Sequence, residues 1–271
     1  MNHLWAVFYG IIQGLTEFLP VSSSGHLALL PYLGNIKDPG LSFDLAMHIG
    51  TALAVFVYFH KRVFSILRNL FNIVKPQNAD QFFAQYFIIA TFVSGSLALI
   101  LKPLAELYGR NHLFISFNLV FFGIILYFID KYGKVKEDPF KKENGIKAAF
   151  FVGLFQVLAI FPGVSRSGIT ITAARMFGAS KEDSSSFSFL LSLPLIFGGA
   201  LLKARELVNS DATFDYYYCL TGIFVSFVVG LVTIHYFLKL IKKIDFKYFM
   251  HYRLLLGAVV LFLYLRSLSI T

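Results

Sequence analysis

The chain has 271 residues and a formal net charge of +9 at pH 7. Hydrophobic residues make up 57% of it and charged residues only 14%, whereas soluble domains carry roughly 45–50% and about 25%. These fractions exclude soluble, disordered, fibrous and disulfide-scaffold proteins and indicate a polytopic membrane protein.

The first element in chain order is an apolar region, residues 4–33, that is broken in its middle. Its leading run of about 16 residues gives on the order of 24 Å of helix, which is short for a hydrocarbon core of about 30 Å. Proline, glycine and serines then interrupt it. Such a region either crosses the membrane once or enters and leaves on one face, and the charge rule is silent here because Met1 to His3 carry no Lys or Arg; the internal repeat described below favours the hairpin.

Six further apolar runs are long enough, or nearly so, to cross the membrane as helices. In chain order they are 44–60, 82–101, 113–129, 184–202, 216–238 and 254–270.

Three of the connecting stretches, 61–75, 131–147 and 239–253, are strongly basic. Cytoplasmic loops carry an excess of Lys and Arg, so we place all three in the cytoplasm. The same rule explains the net charge without a nucleic-acid partner. Residues 62–74 have apolar side chains at helical spacing, which predicts either an interfacial helix or an extension of the preceding span.

A second broken apolar region covers residues 148–177. If it crossed the membrane once, the basic loop 239–253 would move outside, so the charges favour another re-entrant hairpin.

The two broken regions are similar in sequence. Gly10-x-x-Gln13 matches Gly153-x-x-Gln156, and residues 21–25 match residues 164–168, both 143 positions apart. Each half is then one re-entrant helical hairpin plus three transmembrane helices, and the odd number of spans inverts the second half. We therefore predict one all-α polytopic integral membrane domain over 1–271. Its parts are repeat 1 over about 1–130, a cytoplasmic basic loop over about 131–147, and repeat 2 over about 148–271.

The first hairpin contains QGLTEFLPVSSSGH, residues 13–26. Gln13 and Glu17 lie on one helix face, and Pro20 is expected to end the helix. The polar residues that follow are Ser22, Ser23, Ser24 and His26. A carboxylate, hydroxyls and an imidazole are the groups that attack at phosphorus requires: a ligand for a divalent ion, a nucleophile and a proton acceptor. The alternative for His26 is a purely structural hydrogen bond.

The second hairpin contains FPGVSRSGIT, residues 161–170. A helix that restarts after Pro162 and Gly163 would point free N–H groups at the site, and the Arg166 guanidinium matches phosphate oxygens. Gly168 is expected to let the backbone approach a ligand. The hydroxyls are those of Ser165, Ser167 and Thr170. The segment predicts an oxyanion cradle that inverted symmetry brings to the first hairpin; the alternative is an Arg166 paired with a carboxylate for structure.

Two other ionisable residues fall in apolar segments. His48 either lines the cavity or packs in the core, and Arg175 is expected to snorkel to the cytoplasmic face.

Together, QGLTEFLPVSSSGH and PGVSRSGITIT resemble the two signature segments of the bacterial undecaprenyl-diphosphate phosphatases of the bacitracin-resistance type. The resemblance extends over the whole chain, including FSFLLSLP at 187–194. It implies a hydrolase of the bacterial inner membrane that removes the terminal phosphate of undecaprenyl diphosphate, recycles the lipid carrier for cell-wall synthesis and confers bacitracin resistance. It also implies a site that opens to the outer face and a divalent cation, magnesium or calcium.

Carried over by motif, the resemblance makes Glu17 the essential carboxylate and metal ligand, with Gln13 as a tentative second ligand. Ser23 and His26 are nucleophile or base, and Arg166 is catalytic. The phosphate-binding set is Ser22, Ser24, Ser165, Arg166, Ser167 and Thr170. Many members have glutamate at the position of Gln13, which puts a two-carboxylate metal site in doubt. The rival prediction is a polyprenyl-phosphate flippase or anion transporter that uses the same cradle, and a homodimer is a further possibility.

Overall fold

The structure, a computed structural model, describes residues 3–34, 40–108, 111–143, 145–208 and 216–268. Within these ranges the chain forms α-helices and two short 3₁₀ turns, and no strand. The helices are α1 His3–Thr16, α2 Ser23–Gly34, α3 Leu41–Tyr58, α4 His60–Arg68, α5 Ala79–Tyr108, α6 His112–Tyr132, α7 Ile146–Val157, α8 Arg166–Met176, α9 Lys181–Val208, α10 Tyr216–Leu240 and α11 Lys247–Leu268.

Five helices of the described chain, α5, α6, α9, α10 and α11, are long and apolar enough to cross a membrane, and α3 with α4 makes a sixth if the bent pair is one span. The predicted all-α fold is confirmed, and these helices are those of a multi-pass membrane protein. Several helices extend beyond the predicted spans: α5 and α9 continue past residues 101 and 202, and α11 begins before residue 254. Charged residues such as Lys end an apolar run but are good helix formers.

Helix α4 turns away from α3 by 79° at Phe59. A simple extension of the preceding span over 62–74 is therefore wrong. The exposed apolar side chains of this segment include Phe64 and Leu67, and an interfacial position for α4 stays a prediction.

Both broken regions form a helix, a break and a second helix. In the first, α1 ends at Thr16, four residues before Pro20, whose ring would clash with that carbonyl. In the second, α7 ends at Val157 and a 3₁₀ turn leads to Pro162. The two arms of each hairpin pack on each other, α1 on α2 and α7 on α8. That the hairpins re-enter the membrane stays a prediction.

The two halves interlock through their hairpins. Helix α1 packs against α10 and α7 against α5, while α6 packs against α11 and α3 against α9. Exchange of two equivalent halves would give these pairings; the inverted orientation and the repeat boundaries stay predictions. The arrangement buries α8 over nearly its whole length, so the polar tip of the second hairpin lies inside the protein.

Candidate active site

The two hairpin tips have the same unusual backbone. Among the described residues, Ser22 and Ser165 are the two non-glycine residues with positive φ, at 73° and 70°. They directly precede α2 and α8, and each caps its helix: the Ser22 hydroxyl accepts from the N–H of Gly25 and the Ser165 hydroxyl from that of Gly168. Such strained residues cost about 1–3 kcal/mol each and cluster at functional sites.

An ion pair joins the tips. Arg166, the first residue of α8, donates from Nη2 to Glu17 Oε1 at 2.5 Å, and both side chains are largely buried, 13% and 5% exposed. Arg166 Nη1 also donates to the backbone oxygen of Ser188 at 3.1 Å. The two predicted alternatives for Arg166 occur together: the hairpins converge at this residue, and its guanidinium pairs with a carboxylate. A guanidinium has five N–H donors, so three remain beyond these two hydrogen bonds.

The other carboxylate oxygen of Glu17 lies close to three polar side chains from the first half of the chain. Glu17 Oε2 accepts from the Ser23 hydroxyl at 2.6 Å and from Gln13 Nε2 at 3.0 Å. His48 Nε2 lies 3.5 Å from the same oxygen. His48 therefore lines the site, the first of its two predicted alternatives.

His26 faces a different partner. A carbonyl can only accept, so Nδ1 donates to the backbone oxygen of Ser22 at 2.8 Å, and in the neutral ring Nε2 carries the lone pair. Tyr252 Oη lies 2.6 Å from Nε2 and donates to it, with the two rings nearly parallel. Within the described residues no hydrogen bond joins His26 to Ser23, whose proton points to Glu17. Sequence reasoning missed Tyr252.

Arg253, the next residue on α11, is fully buried and ties both tips together. Its guanidinium donates to backbone carbonyls of three segments. The acceptors are Pro20, Asn118, Leu119, Gly163 and Val164. The assignment of Arg253 to the basic cytoplasmic loop 239–253 is wrong, because this arginine points into the protein from the second turn of α11.

The glycines of the second tip serve this packing. A Cβ on Gly163, which has φ +90°, would lie 2.5 Å from the carbonyl oxygen of Ile115. A Cβ on Gly168 would lie 3.1 Å from Arg253 Nη1. Arg253 thus fills the space at Gly168 where a ligand was expected to approach the backbone.

All five of the predicted phosphate-binding hydroxyls have protein partners, those of Ser22 and Ser165 in the caps described above. Ser24 accepts from the N–H of Gly163 at 3.3 Å and Ser167 donates to the carbonyl of Leu19 at 3.0 Å, so each links one hairpin to the other. Thr170 bonds the hydroxyl of Ser188 at 2.6 Å. Their role as phosphate ligands stays a prediction, as does that of Ser22 and Ser165.

Arg175 does not snorkel, contrary to the sequence prediction. It is 3% exposed, and its Nε donates to Asp130 Oδ1 at 3.1 Å. The nearby Lys181 ammonium lies 3.1 Å from Asp130 Oδ2. This buried carboxylate on α6 keeps the guanidinium inside.

The residues that could hold the expected divalent cation centre on Glu17. Among the described residues no group of three His, Cys, Asp or Glu side chains converges on one point. However, Gln13 is fully buried and its Oε1 has no hydrogen-bond partner in the described chain. Magnesium is usually held by one or two carboxylates together with substrate phosphates, so Glu17 and Gln13 fit an ion that shares its remaining positions with a diphosphate.

The fold defines a multi-pass membrane protein with a buried polar centre that is shared between two broken hairpins. The chain matches the family of bacitracin resistance protein BacA over residues 6–259 and belongs to that family, which confirms the predicted resemblance. It is 40% identical over 267 residues to an undecaprenyl-diphosphatase of Caldicellulosiruptor bescii, covering 98% of both chains. It is also 40% identical over 263 residues to an undecaprenyl-diphosphatase of Aliivibrio salmonicida, covering 96% of this chain and 98% of the relative.

Proposed function

We propose that this chain hydrolyses undecaprenyl diphosphate to undecaprenyl phosphate and inorganic phosphate. The family match and the two full-length undecaprenyl-diphosphatase relatives support this activity. The observation that carries it in the structure is the contact between Glu17 and Arg166, which brings the acidic and the cationic hairpin to one buried point. The product is the lipid carrier that cell-wall synthesis reuses, and removal of the diphosphate takes away the target of bacitracin.

Binding of the diphosphate falls to the cationic side of the site. Arg166 has N–H donors left for phosphate oxygens, and a guanidinium binds such oxygens in pairs. The N-termini of α2 and α8 begin at the two tips, at Ser23 and Arg166, where the helix dipoles favour an anion. These donors are fixed before substrate arrives, so catalysis is largely positioning and electrostatic stabilisation.

The chemical step starts from the hydrogen bond between Ser23 and Glu17. Ser23 Oγ attacks the terminal phosphorus, its proton passes to Glu17 Oε2 at 2.6 Å, and the bridging P–O bond breaks to release undecaprenyl phosphate. Water then attacks the phosphoserine and the Ser23 Oγ–P bond breaks, which releases inorganic phosphate, while Glu17 returns the first proton to Ser23 Oγ. The water gives its proton to His26 Nε2 once Tyr252 Oη, which donates to that nitrogen in the structure, has turned away, and His26 passes this proton to the departing phosphate. A water attacking directly in place of Ser23 would lose its proton to the same carboxylate.

Glu17 and the carbonyl oxygen of Gln13 would hold the divalent cation. The ion, when bound, neutralises charge on the diphosphate oxygens and acts as a Lewis acid.

We place the protein in the bacterial inner membrane with its site open to the outer face. The basic segments, which the positive-inside rule puts in the cytoplasm, support the orientation of the chain. The opening to the outer face is carried over from the family resemblance. In a Cys219→Ser background, a membrane-impermeant maleimide should label Leu107→Cys in intact cells and Lys134→Cys only after permeabilisation; both side chains are exposed. Labelling of Lys134→Cys in intact cells would reverse the orientation.

Phosphate release by the purified full chain in detergent tests the activity and separates it from transport. A hydrolase releases phosphate from undecaprenyl diphosphate without a vesicle or gradient, whereas a flippase or anion carrier does not. We expect release that stops when a chelator removes divalent ions and resumes on their addition. A pure, folded and cation-supplied protein that releases no phosphate would contradict the proposal.

A further inference from the structure

His48 faces the carboxylate of Glu17 with the ring nitrogen that is not used in its hydrogen bond to the backbone. His48 lies in α3, and its Nδ1 is 2.7 Å from the backbone oxygen of Asp44. Because a carbonyl only accepts, Nδ1 carries a proton, and in the neutral ring Nε2 presents a lone pair. That nitrogen lies 3.5 Å from Glu17 Oε2, so two electron-rich atoms face each other.

A shared cation would satisfy both atoms. Two neighbouring ligand atoms, each about 2.1 Å from an octahedral ion, lie about 3.0 Å apart, so the measured separation of 3.5 Å would shorten by about 0.5 Å when the ion binds. The His48 side chain is 27% exposed and that of Glu17 only 5%, so an ion between them would have both a protected carboxylate and an open side toward substrate.

Gln13 supplies a third donor from the buried side. Its Nε2 donates to Glu17 Oε2 at 3.0 Å, and its Oε1 is buried without a hydrogen-bond partner in the described chain. A half-turn of the amide exchanges these two atoms. The amide oxygen would then lie about where Nε2 lies now, beside the same carboxylate oxygen, and an ion there would bind it.

We propose that His48 Nε2 is a ligand of the divalent cation, together with Glu17 and the carbonyl oxygen of Gln13, and that this nitrogen shifts the preference of the site from magnesium or calcium toward a first-row ion such as Mn²⁺. The inference rests on the proposed function only for the role that the bound ion plays in the reaction. Its chemical basis is that carboxylate and carbonyl oxygens suit magnesium, calcium and Mn²⁺ alike, whereas imidazole suits transition metals, so one nitrogen beside two oxygens favours Mn²⁺ over the other two ions.

The test measures the binding of Mn²⁺ and of Mg²⁺ to the detergent-purified full chain by calorimetry, and the ligands of bound Mn²⁺ by electron spin echo spectroscopy. Both are done without a phosphate ligand and with methylenediphosphonate, a non-hydrolysable diphosphate. The wild-type protein should bind one Mn²⁺ at least tenfold more tightly than Mg²⁺, with ¹⁴N modulation from a coordinated imidazole. His48→Gln, which offers an amide oxygen, should lose the ¹⁴N signal and weaken Mn²⁺ binding at least tenfold, with Mg²⁺ binding within threefold of wild type.

His60→Gln is the matched control. His60 also bonds a backbone oxygen through Nδ1, at 2.8 Å from that of Val57, but its side chain is exposed at the start of α4. This variant should bind both ions as the wild type does. His48→Ala serves as a second variant if His48→Gln does not purify as a folded protein.

Three results would overturn the inference: Mn²⁺ binding unaffected in both His48 variants, a wild-type site without ¹⁴N modulation, or no Mn²⁺ binding under either condition. The first two are expected if His48 is simply an imidazolium paired with Glu17. Phosphate release by the same preparations keeps the two proposals apart. If the protein releases phosphate but Mn²⁺ binds equally well in the His48 variants, this inference alone is contradicted. If Mn²⁺ binding depends on His48 but no phosphate is released, the proposed function alone is contradicted.

Discussion

At the scale of single residues, His26 takes its orientation from the far end of the chain. Its Nδ1 is fixed by the backbone of Ser22 and its Nε2 by the phenol of Tyr252, which is 226 positions away. The basic nitrogen is thus held by a hydroxyl donor rather than by the neighbouring Ser23. In the proposed mechanism Tyr252 acts through His26, as a positioning residue.

Tyr252→Phe removes that hydroxyl and keeps the ring. We expect kcat for phosphate release to fall roughly tenfold, with KM changed less than twofold. Loss of a group that orients a metal-bound histidine costs about 10–100-fold, and His26, which is not one of the proposed metal ligands, should lie at the lower end of that range. Steady-state kinetics on the purified protein measure both constants.

The control is Tyr248→Phe, one turn earlier on α11, where the tyrosine is 61% exposed. Its kinetic constants should equal those of the wild type. An unchanged kcat in Tyr252→Phe, or a change in KM alone, would show that the phenol does not position His26 for catalysis.

Local chemistry determined which site residues could be predicted. Gln13 and Glu17 share a helix face through their spacing, and the serines and Arg166 lie next to the prolines that break the helices, so a single segment of sequence is sufficient for each. Tyr252 and Arg253 reach the site through tertiary packing of α11. Arg253 also ends a run of basic residues, so composition assigns it to a loop although its charge is buried among carbonyls.

At the scale of elements, the hairpin breaks are shaped by backbone geometry and by the guanidinium behind them. The prolines predict where the helices end. They do not predict that a 3₁₀ turn precedes the second break or that both capping serines adopt positive φ. Those features depend on how α6 and α11 pack against the tips, which a local pattern does not contain.

Gly163→Ala tests this packing. The new Cβ would need a residue other than glycine at φ +90° and would approach the carbonyl oxygen of Ile115 at 2.5 Å. We expect a destabilisation of about 2 kcal/mol or more, seen as a lower melting temperature in detergent and a loss of activity.

Gly95→Ala is the comparison, because this glycine lies within α5 and a Cβ there meets nothing within 4 Å. Alanine is the better helix former by about 1 kcal/mol, so this variant should be as stable as the wild type or slightly more so. If Gly163→Ala has the same melting temperature as Gly95→Ala, the tip of the second hairpin is not constrained as we describe.

At the scale of the whole molecule, neither half contains a complete site. The carboxylate lies in the first half and the guanidinium in the second, 149 positions apart in the chain. Symmetry in the sequence predicted that the two hairpins are equivalent, and their opposite charges predicted that they meet. The helix pairings α1 with α10 and α7 with α5 bring this about.

The most direct test of a single site built by both hairpins compares Glu17→Gln, Arg166→Gln and the double variant. Each single change leaves one buried charge unpaired, which costs about 3–5 kcal/mol, while the double variant is neutral and should regain much of the stability. Residues that act as a unit give non-additive kinetic losses. We therefore predict that phosphate release from undecaprenyl diphosphate falls at least a thousandfold in each single variant and no further in the double variant, even as its stability recovers. Wild-type release by a folded single variant, or losses that multiply in the double variant, would contradict the account.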